Sequence, residues 1–207
     1  FLLIVSTGAV GYGQYYVLQH LPFIDCLPYK RGNDIKEQMK VPKGAIPDSV
    51  SIQMSFLKNG KTVQFDINQF PADFDSTYVY QDRQEVLIQK GNGMVAKIVD
   101  FSLFTINNED TTAAIFNSDS PYVLIFSGNI DTSIPWETLI KTIQQKNKQV
   151  YLVTADKVNA LQLKLDIPIL IGDMTMIKTA ARVWPTVAIM NGSTIMEKQS
   201  YIDYLKK

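Results

Sequence analysis

The chain has 207 residues, 46% of them apolar and 19% charged, a globular composition that excludes a disordered or fibrous protein. Its 20 basic residues balance its 20 acidic ones, so no overall field attracts nucleic acid, and that partner class is set aside. One cysteine, Cys26, and one histidine, His20, exclude an intramolecular disulfide, a Cys-x-x-Cys pair, a cysteine-rich zinc site and a relay of two imidazoles. No metal or other cofactor is expected.

The pattern along the chain predicts three parts: an apolar segment at 1–20, a β-rich extension at 21–93 and an α/β domain at 94–207. Phe1 to Val5 and Tyr12 to Leu18 bear no charge, and the first basic pair is Lys30-Arg31. This start is read either as the end of a membrane helix, with Tyr12, Tyr15 and Tyr16 at the interface, or as an apolar first element of the core. Prolines 22, 28, 42 and 47 then mark a turn-rich connector. From Ser49 to Ile67, Val50, Ile52, Met54 and Phe56 alternate with polar residues, Asn59-Gly60 intervenes, and Val63, Phe65 and Ile67 alternate again. That is a hairpin with a tight primed turn. One or two further strands are expected over 78–88.

After Gly93, strand-like and helix-like text alternates, as in α/β packing. Val95 to Leu103 reads as extended and Thr111 to Asn117 as a short helix. Tyr122 to Phe126 is unbroken apolar text, which a strand buried on both faces requires. Thr132-Ser133 and Pro135 offer a helix start, after which Trp136, Leu139, Ile140 and Ile143 recur at helical spacing. Strands are expected at 149–153 and 186–190, the latter in a hairpin turning at Asn191-Gly192, with helices over 156–165, 174–181 and 201–205. Asp156 and Asp173 read as helix caps, and Lys141, Lys146, Lys148 and Lys157 as solvated faces.

The order of these elements, with Asp100-Phe101-Ser102-Leu103, Tyr122 to Phe126, and Val183-Trp184-Pro185-Thr186 before a hairpin, resembles the thioredoxin family, especially its membrane-tethered envelope branch. The resemblance implies an opening strand at 100–103 and a cis peptide bond before Pro185. The family's Cys-x-x-Cys would fall near Asp131 to Ile134, where this chain has no sulfur, so dithiol oxidoreductase activity is excluded on chemistry. Upstream, His20 to Lys30, Gly32-Asn33-Asp34-Ile35, Lys40-Val41-Pro42, Asp82-Arg83 and Asp100 to Leu103 together resemble the extracytoplasmic part of DoxX-like membrane proteins of certain Gram-negative bacteria. That resemblance implies a periplasmic location at the inner membrane, association with the membrane through the first segment, and a role in interaction or assembly.

Candidate sites follow from both readings. Ile130, Asp131, Trp184 and Pro185 form a candidate peptide groove, because the backbone before the family's cis-proline pairs with an extended peptide and needs no cysteine. The bland alternative is that Pro185 keeps a turn and Trp184 is core or rim. Cys26 has no adjacent cation before Lys30 and reads as a buried structural thiol, with a one-cysteine redox role as the rival. His20 reads as a satisfied histidine. A small-ligand site between the extension and the α/β domain is the third class.

Overall fold

The computed structural model describes residues 2–146 and 148–206, with side chains from residue 10 onward. Its contacts divide the chain into two units, one of residues 1–40 with 97–207, the other of residues 41–96.

The first unit opens with α1 (Leu2–Gln19), a helix with no charged residue. Val10, Tyr12, Tyr15, Val17 and Leu18 are all exposed and lie round the helix rather than along one stripe. Among the described residues, no helix is long and apolar enough to cross a membrane. Just past α1, His20 stacks on Tyr16 at 4.5 Å and places Nδ1 2.7 Å from Asp203 Oδ1, so it is satisfied by a carboxylate, as expected of it.

The segment at 21–40, expected to belong to the β-rich extension, packs with the larger unit instead. Two apolar anchors explain this, Tyr29 and Ile35, which are 2% and 1% exposed. The backbone follows them: Gly32 N–H donates to Ile195 and Ile35 N–H to Ser193, at 2.7 and 2.9 Å. A single turn, α2 (Ile35–Gln38), is capped by the Asp34 side chain.

The second unit is a three-stranded antiparallel sheet in the order β2-β1-β3, built from β1 (Ser49–Lys58), β2 (Lys61–Asp66) and β3 (Val79–Gln89). Asn59 and Gly60 take φ of 50° and 76°, the positive values that a tight primed turn needs. One face carries an aromatic cluster around the buried Phe56, with Phe65 stacked at 5.1 Å and Phe74 edge-on at 5.2 Å. The stretch expected to give one or two strands gives a single long one, β3.

The larger unit continues with β4 (Phe104–Thr105), α3 (Thr112–Phe116), β5 (Tyr122–Phe126), α4 (Trp136–Gln144), β6 (Gln149–Thr154), α5 (Lys157–Gln162), β7 (Ile169–Ile171), α6 (Met174–Ala180), β8 (Thr186–Asn191), β9 (Thr194–Ser200) and α7 (Tyr201–Leu205). Its six strands run in the order β4-β7-β6-β5-β8-β9. β5, β6 and β7 are mutually parallel, while β8 runs antiparallel to β5 and β9 antiparallel to β8. The fold is therefore α/β, a small antiparallel sheet preceding a larger mixed one.

Every residue of β5 is buried, because helices cover both of its faces. Val123 and Ile125 meet Trp136, Leu139, Ile140 and Ile143 of α4 and Tyr204 of α7. Tyr122, Leu124 and Phe126 meet Phe116 of α3 and Met176 and Ile177 of α6. Each fully buried aliphatic side chain contributes roughly 1.5–3 kcal/mol of transfer free energy, so α4 is held by its apolar stripe rather than by its start. Neither Thr132 nor Ser133 caps it: Pro135 precedes the first turn and no side chain caps that end. Asp156 and Asp173 do cap α5 and α6, accepting from Asn159, and from Thr175 and Met176.

The opening strand that the resemblance implies at 100–103 is absent. Leu103 N–H donates to Thr112 Oγ1 at 2.8 Å and its carbonyl accepts from Thr111 at 2.9 Å, so its backbone is spent on the start of α3. The neighbour of β6 is instead the short β7, bounded by Pro168 and Gly172. The Trp184–Pro185 peptide bond is cis, as expected.

Candidate functional site

The residues at the end of β5 form a loop, 127–135, that the next strand holds in place. Ser127 N–H donates to the Val153 carbonyl at 3.0 Å, Thr154 Oγ1 to the Gly128 carbonyl at 3.3 Å, and Ile130 N–H to Asp156 Oδ2 at 3.2 Å. The Trp136 indole closes the loop by donating to the Asp131 carbonyl at 2.8 Å. Asp131 is exposed, and its carboxylate accepts from Ser133, which holds it below the usual carboxylate range. Asp156 is lowered likewise, by Asn159 first and the Ile130 N–H next.

Trp184 faces this loop at a different point from the one expected. Ile130 packs with the α4 side of the sheet, whereas Trp184 packs with the opposite core. The residue beneath the indole is Gly128: a Cβ there would lie 2.4 Å from Trp184 Cη2 and 2.8 Å from Met174 Sδ. Gly128 and Met174 are thus the site residues that sequence reasoning missed. Only the lack of a side chain at Gly128, in a text of small polar residues, hinted at a close approach. The ring is fixed by its own N–H, which donates to the Ala181 carbonyl at 3.0 Å. Pro185 is buried and its carbonyl accepts from Tyr201 N–H at 3.0 Å. Among the described residues, the backbone N–H and C=O of Trp184 have no hydrogen-bond partner.

Cys26 is exposed, not buried. The cause is its neighbour. Asp25 turns inward to pair with Lys198 of β9, and the next side chain faces solvent. Lys198 is only 5% exposed and spends its other protons on the carbonyls of Tyr29, at 2.7 Å, and Ala180, at 3.3 Å. Burial pulls the ammonium pKa down despite the carboxylate beside it. Burial also raises Asp25, but the Lys198 hydrogen bond, the Leu27 N–H and the charges of Lys198 and Arg182 outweigh it and hold the carboxyl low.

A shallow surface cavity of about 250 Å³ opens beside Tyr29, Ile98, Asp100, Asp173, Thr175 and Met176. Its best acceptor, Asp173, is already occupied by the start of α6. Among the described residues, no three His, Cys, Asp or Glu side chains converge on a metal position.

These features define an α/β protein whose loop after the central strand carries no nucleophilic sulfur and whose facing tryptophan leaves its backbone free. Residues 52–90, the greater part of the three-stranded sheet, match a family described as a Domain of unknown function (DUF8463). No curated protein and no solved structure matches the chain.

Proposed function

We propose that this chain is a non-catalytic thioredoxin-like module of the bacterial cell envelope, on the periplasmic face of the inner membrane and tethered to a DoxX-like membrane domain. In this reading it binds an extended protein segment at the Trp184 loop. The observation that carries the reading is the free backbone pair of Trp184, at the turn that leads from α6 into the antiparallel hairpin, above a loop with no thiol. An unpaired donor and acceptor on an ordered turn suit main-chain pairing with a strand, a mode in which the chain itself supplies affinity and pockets supply preference. The uncharged α1, with Val10, Tyr12, Tyr15, Val17 and Leu18 exposed around it rather than along one stripe, supports attachment to a membrane domain.

Two measurements test it. In an insulin-reduction assay the chain should give no turnover above buffer, and Cys26→Ser should behave identically; turnover abolished by that substitution would overturn the non-catalytic reading. Titrating unstructured peptides while following backbone amide resonances should shift Trp184 N–H first. A peptide panel that leaves Trp184 unmoved would remove the groove.

A further inference from the structure

Among the described residues, β3 has a strand on one side only. It pairs with β1 along its length, closes the sheet order β2-β1-β3, and all eleven of its residues are exposed. Edge strands of this length present a row of free N–H and C=O groups and are ordinarily short, bulged or covered. Here the register against β1 shifts only at its two ends, between Ser49 and Val50 and between Ser55 and Phe56, so Asp82 to Leu87 is regular. The apolar side chains Val79, Tyr80, Val86, Leu87 and Ile88 are exposed around this stretch.

The charges along it carry the argument. Arg83 and Glu85 lie on one face, two residues apart, with Arg83 Nη2 3.0 Å from Glu85 Oε1. When a strand pairs antiparallel with its own copy, a two-fold axis normal to the sheet passes through one residue and its counterpart. An axis at Arg83 sets arginine against arginine, and one at Glu85 sets glutamate against glutamate. An axis at Gln84 sets Arg83 of each copy opposite Glu85 of the other, and the four charges close into an alternating square. The same register brings Asp82 opposite Val86 and diagonal to the other copy's Gln84 amide, and it draws Tyr80 alongside Ile88.

We infer that β3 is a self-pairing edge, joining two copies of this chain through an antiparallel β3–β3 contact centred on Gln84 into one continuous six-stranded sheet. The occupant is a second copy rather than a foreign strand because, of the registers centred on Arg83, Gln84 and Glu85, the one at Gln84 makes the charge pattern complementary to itself. This holds whatever the Trp184 loop binds.

The test is a charge swap, with mass read by light scattering on the whole chain in mild non-ionic detergent, which shields α1. The wild type should run at twice the chain mass of 23.4 kDa. Arg83→Glu places four negative charges at the axis and Glu85→Arg four positive ones, so each alone should halve the mass. Both positions are at least half exposed, so folding should be unaffected, as circular dichroism would confirm. Mixing the two variants should restore the doubled mass, since each then meets its complement. A wild type that stays at single mass up to high concentration would overturn the inference. So would single variants that remain dimeric, or a mixture that remains monomeric.

Discussion

Replacing Lys198 with methionine should destabilise the chain by about 3 kcal/mol, among the largest losses available from a single substitution. The Lys198 side chain is 5% exposed, and removing its ammonium leaves the carboxylate of Asp25, 18% exposed at its side chain, without its partner and the carbonyls of Tyr29 and Ala180 without their donor. Breaking a buried pair from one side costs about 3–5 kcal/mol, and the residual exposure of Asp25 places this case near the lower end. For a chain of this size that is a fall of roughly 6–12 °C in Tm. The pH dependence gives the pair its signature. In the wild type the Asp25 pKa is depressed in the fold, so its contribution is complete above the unfolded value of about 3.9 and is lost as pH falls through the folded one. In Lys198→Met, burial acts on Asp25 without its partner and raises it, so the deficit should be greatest at neutral pH and narrow toward about pH 4. Asp25→Asn added to Lys198→Met should recover part of the loss, the two carbonyls still lacking their donor. A Lys198→Met chain that melts within about 2 °C of wild type at pH 7 would show that the pair is effectively solvated.

That pair also shows where sequence reading stops. β5 was legible because five apolar residues in a row demand cover on both faces, and the caps at Asp156 and Asp173 were legible because each acts within three residues. The positive φ of Asn59 and Gly60 was written in the dipeptide itself. Lys198 lies in a strand text of mixed polarity, and what buries it is a carboxylate far back in the chain, on a proline-bounded segment that carries no periodic signal. β7 was invisible for a different reason: three residues between a proline and a glycine are too few to show a period. Its pairing with β6 depends on a sheet that other segments build. The resemblance placed Trp184 and the loop near each other, yet which loop residue lies under the indole depends on the path of four residues after Phe126.

Gly128 tests that path. In Gly128→Ala the new Cβ would lie 2.4 and 2.6 Å from two carbons of the Trp184 ring and 2.8 Å from Met174 Sδ. The thioether can swing aside, because methionine has three rotatable bonds. The indole can yield only by giving up the bond from its N–H to the Ala181 carbonyl, beside a proline that is itself buried. Overpacking a core position by one methyl costs about 1–3 kcal/mol, so Tm should fall by about 5 °C, and the emission of Trp184 should shift to the red as the ring is pushed outward. Trp136 remains 4% exposed and its emission should not follow. Trp184→Leu removes the obstructing ring, so the double variant should lose clearly less than the sum of the two single losses; residues in contact couple by about 0.5–3 kcal/mol. Simple additivity would mean that the ring does not sit over Gly128. Because the indole and its backbone move together, Gly128→Ala should also weaken any peptide that shifts the Trp184 amide, while a peptide bound elsewhere would keep its affinity.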